Sequence, residues 1–399
     1  SAARVGLEGG GAAPLRKIRG PPPYQQQAQV RRRSAVRHSS AEPAGSGGGL
    51  EDRALGRPMS IHDFQVTSAL GQGKFGIVYK AKSKHSHKTV AIKMIIKSTL
   101  RGGTKQDAVN LNRERCLQTA LRHPHIVRMQ NCFQDAKYVY LVLDYASGGD
   151  VYRLLSQERN KNGLPLEEAA AYLHDAVSAV AHLHSADIMH RDIKAENLLL
   201  DSKGRLKLSD FGWAVLARPP QHRRRTMCGT PDYAPPEMLV RSPEYTKAVD
   251  IWSLGVLAFE LLTGHTPFAK AQTTSPKTAG SGGGGVGSSA SSQNTNDGPD
   301  SASTGNAEAA ATMEASSAKA SFAAEIEEIH RGDSHAKLYA RIAGWGGSRE
   351  SLFGAGTRGA RVPEEAGDVV MAMLRPLPED RLESGAVLAL PWVASRGKR

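Results

Sequence analysis

At 399 residues the chain exceeds one average domain, which favours one large two-lobed unit with tails. Hydrophobic residues make up 40%, enough for a substantial core, and a net charge of +13 points to anionic partners or acidic surfaces. Cys116, Cys132 and Cys228 form neither a Cys-x-x-Cys pair nor a metal-ligand spacing, as in a reduced intracellular compartment. The longest apolar stretch, Ile251 to Leu262, carries Glu260 and is too short for a bilayer, so no membrane association is expected.

Residues 1–58 are rich in Gly, Pro, Gln and Arg and poor in aliphatics, which predicts a disordered basic tail. Its cluster Arg31-Arg32-Arg33 with Arg37 could serve nucleic acid, an acidic protein or an import receptor, or be a solvated tail. Ser1 opens a segment with no apolar core, so no secretory signal is expected, and the missing initiator methionine leaves room for a longer N-terminus. From Phe64 the pattern becomes periodic. Phe64 to Leu70, Ile77 to Lys82, Thr89 to Ile96 and Tyr138 to Leu143 read as strands, and Asp107 to Leu121 has helical spacing. A hinge at Asp144 to Gly149 leads into mainly helical sequence, clearest at Pro165 to Ser185 and Ala248 to Thr263. A Gly/Ser/Ala/Thr/Asn run at about 269–321 predicts a flexible insertion. One amphipathic helix is expected from Phe322 to about Ala343, then Glu364 to Arg375 and a terminal Leu388 to Trp392.

Gly71-Gln72-Gly73-Lys74-Phe75-Gly76-Ile77-Val78 lies between two strands, which favours a hairpin lid over nucleotide phosphates rather than a dinucleotide fold. Glycines there let the backbone approach phosphate oxygens. Val90-Ala91-Ile92-Lys93 follows at the distance of a third strand, so Lys93 would reach the phosphates and Glu114 would hold it. His190-Arg191-Asp192-Ile193-Lys194-Ala195-Glu196-Asn197 and Asp210-Phe211-Gly212 each stand behind an apolar run, as in eukaryotic-type protein kinases. In that scheme Asp192 orients the acceptor hydroxyl, Asn197 and Asp210 hold Mg²⁺, and Lys194 neutralises the transferring phosphoryl group. Lysine two positions after Asp192 is the Ser/Thr-kinase arrangement, with Thr230 bridging Asp192 and Lys194. Thr226 is the candidate activation phosphosite, with Arg191 and Arg113 as receivers of its charge. Glu237 is expected to pair with Arg381, and Asp250 to anchor the catalytic-loop backbone.

Four local features narrow the family: Trp213 after Phe211-Gly212, Pro235-Pro236-Glu237-Met238 in place of Ala-Pro-Glu, Gln118 one turn past Glu114, and the strings Leu121-Arg122-His123-Pro124 and Val151-Tyr152-Arg153. From about Phe64 to Val393 the chain resembles the Aurora kinases, Ser/Thr kinases of chromosome segregation and the spindle. The resemblance implies an α+β bilobal kinase fold: a small antiparallel β lobe with a regulatory helix (59–145) and a large helical lobe (146–395), followed by a tail at 396–399. It implies ATP with Mg²⁺ between the lobes, bounded by Leu70, Gly71, Gly73, Gly76, Val78, Ala91 and Leu199. Leu143 becomes the gatekeeper, Asp144, Tyr145 and Ala146 the hinge, and Met129, Gln118, Phe211 and His190 a regulatory spine. An activator protein docking on the small lobe, and a nuclear, chromosomal, spindle or centrosomal location, follow from the same likeness.

Ala195 replaces the family's usual proline, Asp150 stands where the family has a small polar residue, and the insertion after Phe268 is foreign to the pattern. Glu196 and Asp150 are expected to meet basic side chains ahead of the acceptor, so Arg-rich protein sites are the expected substrates. A protein kinase A-like enzyme is the alternative; Trp213 and Pro235 argue against it. A pseudokinase scaffold is opposed by the intact Lys93, Asp192, Asn197 and Asp210. A third reading gives the basic tail the main role, through salt-sensitive binding to chromatin or microtubules.

Overall fold

The structure is a computed structural model that describes residues 58–73, 76–102, 105–217, 223–269, 319–354 and 362–395. The expected disordered tail, most of the 269–321 insertion and the tail at 396–399 lie outside the described residues.

Strands β1 (Phe64–Gly73), β2 (Gly76–Ser83), β3 (Thr89–Ile96), β4 (Met129–Gln134) and β5 (Tyr138–Asp144) form one antiparallel sheet in the order β1-β2-β3-β5-β4. β3 is central and reads Thr-Val-Ala-Ile-Lys-Met-Ile-Ile, with Val90 and Ile92 buried on one face and Ile95 on the other. Its register places Lys93 opposite Val78 on one side and Leu141 on the other. β4 escapes the sequence pattern because Met-Gln-Asn-Cys-Phe-Gln has little β-branched content; it is an edge strand completed by its neighbour. Helix α1 (Lys97–Gly102), also not anticipated, precedes α2 (Lys105–Ala120), which carries Glu114 and Gln118 against the sheet.

After α3 (Val151–Leu155), the large lobe is built on α4 (Leu166–Ser185) and α5 (Ala248–Thr263). α4 buries Ala169, Leu173, Ala176, Val180 and Leu183, a helical stripe, while every residue of α5 from Val249 to Thr263 is buried. Full burial of each such Leu or Val is worth about 1.5–3 kcal/mol. Two small two-stranded pairs carry the site: β6 (Ile188–Met189) with β9 (Val215–Leu216), and β7 (Leu198–Leu200) with β8 (Leu206–Leu208).

The single helix expected from Phe322 to Ala343 is two: α6, described over 319–329, and α7 (Ala336–Ala343). Gly332 adopts φ 93° in the turn between them, a conformation that ends a helix at little cost only for glycine. The lobe closes with α8 (Arg349–Phe353), α9 (Glu364–Met373), α10 (Ser384–Ala389) and α11 (Pro391–Ala394). Among the described residues no helix is long and apolar enough to cross a membrane.

Candidate active site

Between the sheet and the helical lobe lies a cavity of about 480 Å³. Its walls include Leu70, Gly71, Gly73, Val78, Ala91, Lys93, Glu114, Leu143, Asp144, Tyr145, Ala146 and Leu199, with Asn197 and Asp210 at one end and Asp150 and Glu196 also among its lining. Gly76 lines a smaller neighbouring pocket instead. A Cβ there would stand 1.8 Å from the Met94 carbonyl oxygen, so Gly76 is required by the close approach of β2 to β3. At Gly71, by contrast, a Cβ would meet nothing within 4 Å, leaving that side of the loop open. The Asp144 amide donates to the Arg128 carbonyl at 3.0 Å, so a bond from Asp144 to a nucleotide would come from its carbonyl.

Lys93 Nζ donates to Glu114 Oε1 at 2.8 Å and to Asp210 Oδ1 at 3.2 Å. Burial draws the ammonium's pKa down, but Glu114 and Asp210 outweigh it and hold the group above the ordinary lysine value. Burial likewise pushes the Asp210 carboxyl up, and Lys93 reverses the sign, leaving it below the usual carboxylate range. Behind this pair, His190 and Phe211 are buried and meet edge to face at 5.1 Å, while buried Gln118 donates to the Val127 carbonyl at 3.0 Å and Met129 is buried beside Leu141.

The catalytic loop holds a compact polar knot. Thr230 Oγ1 donates to Asp192 Oδ1 at 3.0 Å, Lys194 Nζ donates to Thr230 Oγ1 at 2.7 Å, and Lys194 Nζ lies 3.2 Å from Asp192 Oδ2. Asn197 spends its amide hydrogens on the Asp192 carbonyl (2.7 Å) and Asp192 Oδ2 (2.9 Å), which keeps its side-chain oxygen as an acceptor. Arg191 (φ 68°) and Asp210 (φ 57°) both hold left-handed backbone, a conformation that costs about 1–3 kcal/mol away from glycine. Asp250, fully buried at the start of α5, stabilises this loop by accepting the amides of His190 at 2.9 Å and Arg191 at 2.8 Å, and His184 Nε2 at 2.9 Å. Burial raises the Asp250 carboxyl, and His184, His190 and these amides overcome that to keep it low.

The activation segment is docked on its own lobe. Arg224 and Tyr245 exchange backbone bonds of 2.9 and 3.0 Å, and Arg223 and Arg225 both pair with Glu244. Tyr245 is the hub: its hydroxyl accepts from Arg191 Nη1 at 2.8 Å and donates to the Thr226 carbonyl at 2.6 Å. Arg191 Nε is spent on the Trp213 carbonyl and Arg113 on Asn110, so neither arginine is bonded to Thr226. Arg113 and Arg224 lie close enough to Arg191 that, after burial, its charge is the next cause depressing their affinity for protons. Glu237 and Arg381 meet through two parallel bonds of 2.6 and 2.8 Å, with the guanidinium over the Trp252 ring at 5.0 Å.

Asp150 caps α3, accepting the Arg153 amide at 2.8 Å, and pairs with the Arg153 side chain; Glu196 is exposed. Sequence reasoning missed a third carboxylate. Glu260 of α5 is 8% exposed and accepts from the Tyr233 hydroxyl, which in turn accepts the Ala195 amide. Burial lifts its pKa to about 7; the Tyr233 bond opposes this, and the negative charges of Glu196 and Asp232 add to it. No cation is among the groups that set its pKa. The available signal was a glutamate interrupting the apolar run from Ile251 to Leu262.

Residues 64–393 match the family described as protein kinase domain, whose activity is phosphoryl transfer from ATP to a protein. The chain is 44% identical over 229 residues to Aurora/IPL1-related protein kinase 2 of Caenorhabditis briggsae, covering 56% of this chain and 73% of that one. It is 42% identical over 216 residues to Aurora kinase C of Mus musculus (54% and 75%). It is 45% identical over 209 residues to Serine/threonine-protein kinase Aurora-1 of Arabidopsis thaliana (52% and 68%). On these matches the chain belongs to the protein kinases and, within them, to the Aurora family of Ser/Thr kinases.

Proposed function

We propose that the chain phosphorylates Ser and Thr in arginine-rich protein sites as an Aurora-type mitotic kinase, with Thr226 as its activating phosphosite. The observation that carries the substrate reading is Glu260, buried beside the catalytic loop through the Tyr233 hydroxyl that also accepts the Ala195 amide. Its pKa is lifted by burial and further by the charges of Glu196 and Asp232, with no cation among the groups acting on it. An arginine ahead of the acceptor hydroxyl would supply the missing charge. Asp192 would then take or orient the hydroxyl proton, and Lys194 would sit against the transferring group. Charge neutralisation on the phosphates is what bound Mg²⁺ supplies; the Asn197 side-chain oxygen and the Asp210 carboxylate, which opens to the cleft, are the donors that would hold it.

The activation reading rests on the mutual repulsion of Arg113, Arg191 and Arg224. A phosphate on Thr226 would relieve it by adding nearly two negative charges to that cluster. A small-lobe activator is supported by a groove between α2 and β4 and β5, bounded by Leu111, Arg115, Cys132 and Val139. Exposed Val109 stands on the same helix. Spindle, centrosome or chromosome location is proposed from the family alone.

The deciding experiment is phosphate transfer from Mg·ATP to an Arg-Arg-x-Ser/Thr-apolar peptide, set beside a proline-directed and an acidic peptide. Preferential turnover of the basic peptide, lost in Asp192→Asn and reduced in Thr226→Ala, is expected. Turnover of the acidic or proline-directed peptide in its place would overturn the substrate reading.

A further inference from the structure

Glu244 and Tyr245, just ahead of α5, hold the activation segment through its backbone and through the arginines before Thr226. We propose that Tyr245 is a positioning residue: its hydroxyl docks the activation segment on Arg191 before Thr226 carries phosphate, so that the unphosphorylated kinase already turns over. The proposal rests on Thr226 being the activating phosphosite and adds what holds the segment until that phosphate arrives.

The geometry is a bridge through one oxygen atom. Arg191 Nη1 donates to the Tyr245 hydroxyl at 2.8 Å, and that hydroxyl donates to the Thr226 carbonyl at 2.6 Å. A phenol has one hydrogen to give and lone pairs to accept with, so the two bonds do not compete. Burial, against the opposing charge of Arg191, lifts the phenol pKa to about 12, so the hydrogen stays in place at neutral pH. Arg191 is itself buried, and two neutral oxygens satisfy its guanidinium: Nε donates to the Trp213 carbonyl at 2.8 Å and Nη1 to Tyr245. A single side chain next to Asp192 thus joins the start of the activation segment, at Trp213, to its phosphosite.

The Tyr245 ring is fixed as firmly as its hydroxyl. It is 1% exposed and packs among Met189 of β6, Val215 of β9, Met238 and Val249. Its backbone exchanges bonds of 2.9 and 3.0 Å with Arg224. The pairs of Glu244 with Arg223 and Arg225 lie at the surface, where ion pairs contribute little, so the buried bridge carries the docking. It takes the backbone carbonyl of Thr226 and leaves the exposed side chain to receive phosphate. Once added, phosphate brings nearly two negative charges to Arg191, and the neutral bridge becomes redundant.

The test uses the full chain in two states, Thr226→Ala and the parent phosphorylated on Thr226, with the stoichiometry checked by intact mass. Phosphate transfer from Mg·ATP to an Arg-Arg-x-Ser/Thr-apolar peptide is measured in each, with and without Tyr245→Phe, which keeps the ring. In Thr226→Ala, adding Tyr245→Phe should lower kcat about tenfold with the KM for ATP little changed, as for a lost hydrogen bond to a charged group. In the phosphorylated chain the same change should lower kcat less than about threefold, the difference being the coupling of hydroxyl and phosphate. Amide hydrogen exchange over 223–229 should quicken in Tyr245→Phe only where phosphate is absent. Equal losses in both states, the mark of a merely structural hydroxyl, would overturn the proposal and leave Thr226 as the activating site. So would no loss in Thr226→Ala, or a Thr226→Ala chain with no turnover at all. A Thr226→Ala chain as active as the phosphorylated one would overturn the activation reading and this proposal with it.

Discussion

Arg381 and Glu237, 144 residues apart, are joined by two parallel hydrogen bonds of 2.6 and 2.8 Å in a site where the guanidinium is fully buried. The same arginine donates to the carbonyls of Arg375, Pro376 and Ala248, so it ties the end of the activation segment to α5 and to the loop after α9. Removing one partner of such a pair leaves a buried charge without compensation. Arg381→Ala is therefore expected to cost about 3–5 kcal/mol, read as a lowered melting temperature. A melting curve superimposable on the parent's would show that the pair is dispensable.

Asp192 is bonded to Thr230 and Asn197 and lies beside Lys194, so its carboxylate is fixed before any substrate arrives. Asp192→Asn keeps the shape and removes the group proposed to take or orient the hydroxyl proton. The expected result is a fall in kcat of about 10²–10⁴-fold with the KM for ATP little changed. Steady-state kinetics on a basic peptide separates the two parameters; a rise in KM alone would place Asp192 in binding instead.

Glu260 titrates near neutrality because it is buried, against the opposing Tyr233 bond, with Glu196 and Asp232 adding to the rise. Its folded pKa lies above its unfolded one. The stability it contributes is thus complete below about 4.5 and is lost as pH rises through about 7. An arginine-bearing peptide favours the ionised form, so its KM should fall as pH rises from about 6 to 8. Glu260→Gln should flatten that profile while leaving a peptide without arginine unaffected. An identical slope in the variant would assign the dependence to another group.

His123 behaves in the opposite sense. It stacks on His182 at 5.0 Å and lies 5.6 Å from His125. Burial first, then the positive potential of His182, His125 and Lys207, lowers its pKa to about 4. With the folded value below the unfolded 6.5, its stabilising share is complete above pH 6.5 and is lost as pH falls toward 4. Because the adjoining loop is bonded to β8 through Leu208 and His125, acid should loosen the support of the Asp210 segment. Melting temperature measured across pH 7 to 4.5 should fall less steeply in His123→Asn; parallel curves would rule this histidine out as the cause.

The catalytic strings were legible because each is contiguous and its chemistry depends on short spacing. Lysine two residues after Asp192, and Asn197 three beyond that, fix the knot once the loop forms. Strands such as Thr89–Ile96 were legible for a related reason, since β-branched residues on both faces suit a central strand. β4 was not, because an edge strand of Gln, Asn and Cys takes its conformation from β5. The break between α6 and α7 differs: His330 to His335 carries no apolar residue and contains Gly332-Asp333-Ser334, a turn signal that the single-helix reading passed over and that Gly332 uses at positive φ.

The sequence by itself determined the reaction type and the family, since those reside in local patterns that survive any arrangement of the rest. Tertiary structure alone decided that Glu260, far along the chain in an apolar helix, stands behind Ala195 and shares a field with Glu196 and Asp232. It also decided that Tyr245 links Arg191 to Thr226 and that Arg224 joins the arginine cluster. Burial and Coulomb interaction depend on distance in space, and no spacing along the chain encodes it.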